Sequence, residues 1–404
     1  MLFAAERHES CTETPWDHAV VSAAIARCQA DSIDFLRNKL WRQQGEDVAA
    51  TTMYEGALGV LWAVIETAEL TGQTLDLDVP QLAAEIFADY TNFEAVEFTD
   101  LDVVNYEASY FLGHSGSVNM MQRFCPEQFD HWQSQLLELA AGNIENPTLE
   151  VLWGGPGSIL PVLNNLLVED SALTIGRDTR QKLLELFQRQ FDFMRQQLQF
   201  AEDFNCQIWR QDLYGGQPRL TGAGHGFVGN MFPFLRGQTL LSSEDREWLL
   251  ATTVETLTRT ARHEGGLANW PTNLDGMPAD TPEFLVQWCH GAPGVLLSVN
   301  DIEKGYSAAL DHLLLQAGEA IWQAGPLKKG LGLCHGTDGN GFAFLKLFQR
   351  SGGEKWLERA RAFAMHSLDQ YQKLPGFWVG DSALPLFLLA CQQGTSRVPL
   401  WDYV

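Results

Sequence analysis

Gly291-Ala292-Pro293-Gly294-Val295-Leu296-Leu297 is a glycine turn that runs straight into an apolar segment, and Trp288-Cys289-His290 leads into it. Gly332-Leu333-Cys334-His335-Gly336-Thr337-Asp338-Gly339 repeats the construction further along. Working outward, Gly-x-x-Gly also occurs at Gly56-Ala57-Leu58-Gly59, Gly113-His114-Ser115-Gly116, Gly154-Gly155-Pro156-Gly157 and Gly226-Phe227-Val228-Gly229. A seventh, degenerate copy is Gly380-Asp381-Ser382-Ala383. Strongly apolar runs follow several of them, such as Val60-Leu61-Trp62-Ala63-Val64-Ile65 and Leu384-Pro385-Leu386-Phe387-Leu388-Leu389-Ala390. A single Gly-x-x-Gly carries little information; seven copies leading into helix-like runs define a repeat.

Between the copies lie longer amphipathic stretches, at 18–42, 180–191, 243–262, 305–323 and 353–372. In Arg180–Phe191 the apolar residues fall at helical spacing with polar ones between them. Strand-like alternation is scarce. Each unit therefore reads as an amphipathic outer helix, a loop, a glycine turn and an apolar inner helix. Such a unit cannot bury its apolar face alone, so neighbours must stack. Seven units can form an open solenoid or close into a ring with the inner helices as a central barrel. Closure is the expectation, because the third to sixth copies all carry polar candidates just before the turn. In a ring these would share one end, where helix N-termini favour anions and thiolates. The expected fold is all-α, a double-layered α/α toroid of seven helical hairpins, with 1–404 as a single domain.

The 404 residues carry a net charge of −24, with 45% hydrophobic and 11% aromatic residues. That composition supplies a large core. The charge disfavours non-specific binding to nucleic acid and to anionic membranes. No run of about 18 apolar residues is present, so no membrane span is expected. The N-terminus lacks the apolar core of a signal peptide. The seven cysteines are odd in number and show no dense disulfide spacing. These features predict a cytoplasmic, reducing location with thiols that are unpaired or metal-bound.

Thiolate and imidazole are preferred zinc ligands. The Cys-His pairs Cys289-His290 and Cys334-His335 stand 45 residues apart, too far for a compact zinc-finger loop. Only the fold can join them. A tryptophan-flanked cysteine can also be a plain buried side chain, but two Cys-His pairs at equivalent repeat positions point to a metal. The residue types leave a closed Cys2His2 structural site and an open Cys2His catalytic site both standing. His225, in Gly224-His225-Gly226, occupies the slot that His290 and His335 hold in the next two copies, and a histidine there can give or take a proton. Glu150 precedes the third turn, as a solvated carboxylate near a helix end or as an acidic site residue. His114 and Asp338 lie inside their turns and read as local hydrogen-bond partners. Lys329, five residues before Cys334, is a surface lysine or a partner for a substrate carboxylate.

Across nearly the whole chain these segments resemble the lanthionine synthetase C-like family. Gly224-His225-Gly226, Trp288–Gly294 and Lys329–Gly336 carry the resemblance. It implies the α/α toroid, and zinc (Zn2+) held by Cys289, Cys334 and His335 with a fourth position open to a thiol. His290 would face the substrate, His225 matches the family's candidate acid/base, and Glu150 matches a position that carries an acidic residue. The implied reaction adds a thiol to dehydroalanine or dehydrobutyrine in a peptide or protein, giving a thioether. The family's peptide cyclases tend to have tyrosine after the first zinc cysteine, where this chain has His290. The Lys329-Gly330 lead-in resembles the glutathione-using branch, so glutathione is the expected thiol. A lanthipeptide cyclase acting on a peptide thiol, and a non-enzymatic zinc-containing binding module, are the alternatives. An α/α-toroid glycosidase is the weakest reading, since the paired carboxylates it needs are not evident.

Overall fold

A computed structural model describes residues 1–43, 48–92, 106–167, 175–213 and 215–404. The elements alternate between two kinds of helix. The outer ones are α1 (His18–Arg37), α3 (Val79–Asn92), α5 (Phe129–Gly142), α7 (Arg177–Gln197), α9 (Ser243–Thr260), α11 (Ala308–Ala324) and α13 (Glu354–Gln370). The inner ones are α2 (Ala57–Thr71), α4 (His114–Phe124), α6 (Gly155–Leu167), α8 (Phe227–Arg236), α10 (Ala292–Ser298), α12 (Thr337–Ser351) and α14 (Leu384–Gln393). Each inner helix starts at one of the seven glycine turns read from the sequence.

Burial separates the two sets. In α7 only Leu183, Leu186, Phe187, Gln190, Phe191 and Met194 are buried, one stripe at helical period. In α8 every residue from Phe227 to Leu235 is buried, and α10 is buried throughout. The outer helices α1 and α9 are capped by side chains: Asp17 accepts from the Ala19 and Val20 N–H groups before α1, and Ser242 accepts from the Asp245 N–H before α9. The inner helices α2, α8, α10 and α12 have glycine N-caps with no side-chain bond. Where the loop folds back over the helix start, it satisfies the first N–H groups: Phe227 N–H donates to Leu220 O, and Thr337 N–H to Gly330 O, seven residues upstream in both cases.

That fold-back explains the second glycine of the repeat. A Cβ at Gly229 would collide with the backbone of Ala223, and one at Gly294 with that of Trp288, six residues upstream each time. The same spacing recurs at Gly59, Gly157 and Gly339. The seventh copy departs from it. Asp381 N–H still donates seven residues back, to Leu374 O, but the helix begins only at Leu384, with Ala383 as N-cap.

The chain packs as two compact units. One comprises Met1–Ala4, Phe98–Asn119 and Gln128–Gln323. In it α6 packs on α5, α7 and α8, and α8 packs on α9 and α10. It also holds two antiparallel hairpins, β1 (Gln199–Ala201) with β2 (Cys206–Ile208) and β3 (Arg262–Glu264) with β4 (Leu267–Asn269). The second hairpin turns through Gly265 and Gly266 at φ +58° and +86°, a pair of angles that glycine adopts freely. The other unit comprises Ala5–Glu97, Met120–Glu127 and Ala324–Val404, so it joins the beginning of the chain to its end. There α14 packs on α1, α2, α12 and α13. The seventh turn also bonds to the first, Trp378 N–H donating to Tyr54 O at 2.8 Å.

Candidate metal centre and its histidine pair

Turn-to-turn hydrogen bonds keep the slots of successive copies in register. Gly224 N–H donates to Cys289 O at 3.1 Å, and Cys334 N–H donates to Trp378 O at 2.8 Å. Donor and acceptor in each bond lie two residues before a turn glycine, as do Trp378 and Tyr54. His225, His290 and His335 therefore hold one shared position in their turns, immediately before the glycine.

They do not share one environment. Cys289, Cys334 and His335 form a group whose ligand atoms all lie within 4.8 Å of one another, and His290 is outside it. Two sulfurs and one imidazole nitrogen are a zinc-type donor set. Tetrahedral zinc with ordinary Zn–S and Zn–N bonds separates its ligand atoms by about 3.4–3.8 Å, which that spread accommodates. Cys289 and Cys334 are buried and His335 is partly exposed, so the group is both sheltered and reachable. The residues present fit zinc.

His290 stacks on His225, with ring centroids 5.7 Å apart and planes 29° from parallel. Among the described residues its Nδ1 is buried without a hydrogen-bond partner. Burial, opposed by the Cys289 charge and reinforced by His225, pulls the His290 pKa down to about 4, so the ring is neutral at pH 7. Burial also works against a charged His225. There it is outweighed by the hydrogen bond to the Glu150 carboxylate and by the Glu150 and Cys289 charges, and the pKa is raised. His225 Nδ1 lies 2.9 Å from Glu150 Oε2.

Glu150 is not a solvated carboxylate. It is fully buried, and its oxygens accept from the Leu152 N–H at 3.0 Å and from the Trp153 N–H as well as facing His225. The backbone just before it is strained: Leu149 sits at φ +46°, a region bulky residues avoid. Two buried amides hold it there. Gln211 Nε2 donates to Leu149 O at 3.0 Å and to His225 O at 2.6 Å, and Asn230 Nδ2 donates to Leu149 O at 2.6 Å. No sequence signal marks Gln211 or Asn230, because their partners are carbonyls distant in the chain. Gln287 is a further residue that the sequence did not single out: its Nε2 lies 3.0 Å from Cys289 Sγ.

Two candidates remain. Lys329 is exposed on the loop before Cys334. Asp338 bonds locally through its backbone N–H, which donates to Leu331 O at 2.9 Å, but its side chain does not stay in the turn. It is fully buried and bonds across to Ser367 of α13 at 2.6 Å.

A family model described as lanthionine synthetase C-like protein matches residues 47–382. The chain belongs to that family. Among sequence relatives, this LanC-like chain is 35% identical over 158 residues to glutathione S-transferase LANCL1 of Danio rerio, covering 39% of this chain and 36% of that protein. It is 33% identical over 150 residues to LanC-like protein GCL1 of Arabidopsis thaliana, covering 37% and 32%. The aligned part thus spans about a third of each relative's length. A solved structure of nisin cyclase matches with a TM-score of 0.62 at 15% identity, over 91% of this chain and 94% of that one. With the alternating helices, that likeness puts the LanC-like chain in the all-α, α/α-toroid class. Among the described residues, no helix is long and apolar enough to cross a membrane.

Proposed function

We propose that this protein adds a thiol, glutathione in particular, to dehydroalanine or dehydrobutyrine residues of a peptide or protein, with zinc held by Cys289, Cys334 and His335. The observation that carries the reading is the donor group itself: two cysteines and one histidine gathered, with His290 left out of the set. Three protein ligands with a fourth position open are the catalytic form of a zinc site, whereas structural sites are closed by four. The name of the Danio rerio relative, a glutathione S-transferase, supports glutathione as the thiol.

Bound there, zinc would lower the pKa of an incoming thiol and supply a thiolate at neutral pH. The chain's own residues serve the other half of the reaction. As sulfur bonds to the β-carbon, the double-bond electrons move toward the α-carbon and its carbonyl, and the α-carbon must gain a proton. His225 Nδ1 is engaged by Glu150, so Nε2 is the atom that holds the proton for transfer. Glu150 stabilises the charged form of the ring that carries it. His290, neutral and with Nδ1 unpartnered, offers a hydrogen bond to the substrate beside it. Lys329, exposed on its loop, pairs with a carboxylate of the thiol.

The test combines metal analysis with mass spectrometry of a dehydroalanine peptide incubated with glutathione. The expected result is about one zinc per chain and a glutathione adduct, both lost in Cys334→Ala. A zinc-loaded sample that forms no adduct would overturn the reading.

A further inference from the structure

We infer that Gln287 is a positioning residue that fixes the sulfur of Cys289 by donating an amide N–H to it. The inference rests on the proposed zinc site, of which Cys289 is one ligand.

Several contacts hold Cys289. Its carbonyl accepts from Gly224 N–H at 3.1 Å. Its Cβ faces Gly224 so closely that a Cβ added there would stand 2.7 Å away. These two contacts fix the backbone and the root of the side chain but leave rotation about Cα–Cβ open. The third contact removes that freedom: Gln287 Nε2 donates to Sγ at 3.0 Å. Gln287 is itself immobilised. It is buried, and its backbone N–H donates to His290 O at 3.1 Å, closing a turn around Trp288 and Cys289. The donor comes from the same short turn as its acceptor, so the geometry moves with the ligand.

The chemistry of the pair gives the bond a direction. An amide N–H donates at every pH, and a thiolate is a far better acceptor than a thiol. The bond therefore favours the ligating form of Cys289. By drawing charge from that sulfur, it also keeps Cys289 a spectator rather than a nucleophile competing with the substrate thiol. Outer-shell donors of this kind typically change metal affinity by about 10- to 100-fold.

Gln287→Glu keeps the shape and sets an oxygen against the sulfur; Gln287→Leu removes the donor outright. Cobalt(II) is the probe, because its thiolate charge-transfer band reports the sulfur directly. Both variants are expected to bind cobalt about 10- to 100-fold more weakly than wild type in chelator competition, with a shifted band and unchanged melting of the metal-free protein. Wild-type affinity and an unmoved band in both variants would overturn the inference while leaving the metal site intact. If wild-type protein itself retains no cobalt or zinc, the metal reading fails separately. The positioning role is then decided in crystals of the metal-free protein, where Cys289 Sγ should hold one rotamer beside Gln287 in wild type and leave it in Gln287→Leu; the same single rotamer in both overturns it.

Discussion

His225 and Glu150 are 75 residues apart in sequence and 2.9 Å apart in space, Nδ1 to Oε2. The carboxylate is fully buried and also accepts two backbone N–H groups. This pairing engages Nδ1 of His225, and it ties the third glycine turn to the fourth.

Glu150→Gln should therefore damage two things at once. A glutamine has one acceptor oxygen in place of two and cannot keep all three bonds. Losing one buried, charge-assisted bond costs about 1.5–3 kcal/mol in urea unfolding. With the counter-charge gone, the proton on His225 is held less firmly, and thioether formation should fall about 100-fold or more. A variant with wild-type stability and rate would remove Glu150 from the site.

Gly224→Ala probes the seat of Cys289. The added carbon would stand 2.7 Å from Cys289 Cβ and 3.4 Å from Trp288 Cζ3. Neither the turn backbone nor a buried tryptophan yields easily, so overpacking should cost about 1–3 kcal/mol. Zinc content per chain should fall with it. Full metal occupancy in the variant would show that the turn can relax without moving the ligand.

Asp338 gives a pH signature. Burial, opposed by the Ser367 hydroxyl and reinforced by the Asp381 charge, pushes its carboxyl well above the usual range. Cys391, also fully buried, is pushed up as well, by burial first and then by the Asp338 charge. With the folded pKa above the unfolded value of about 4, the folded state binds the extra proton, and stability falls as pH rises from there toward the folded pKa. Asp338→Asn abolishes that titration. Its stability relative to wild type should be lowest near pH 4 and should rise with pH. Denaturant melts at several pH values decide it: a difference flat with pH would contradict the account.

Lys346 and Asp402 form a sheltered ion pair, 2.6 Å apart with side chains 6% and 13% exposed. Asp402 Oδ2 also accepts Val398 N–H at 2.6 Å, which pins the C-terminal segment. Lys346→Met leaves that carboxylate uncompensated and should cost about 3–5 kcal/mol. Adding Asp402→Asn should recover most of the loss. A double variant no more stable than the single would argue against the pair as the origin.

The repeat and the candidate donors were legible along the chain. Helical periodicity in segments such as 180–191, and seven turns each leading into an apolar run, are local patterns, and local steric and burial rules translate them directly into paired helices. Cys289, His290, Cys334 and His335 were likewise marked by residue type and slot, and the family resemblance implied Cys289, Cys334 and His335 as the zinc set. What only the tertiary structure decided is direction. His225, His290 and His335 share a slot, yet one pairs with Glu150, one is left with a bare Nδ1 and one joins the donor group. Glu150 looked as fit for solvent as for a site until the left-handed Leu149, held by Gln211 and Asn230, turned it inward. The reason is physical. The heading of Glu150 depends on one backbone angle and on amide donors from Gln211 and Asn230, 62 and 81 residues from Leu149, and no spacing rule along the chain encodes either.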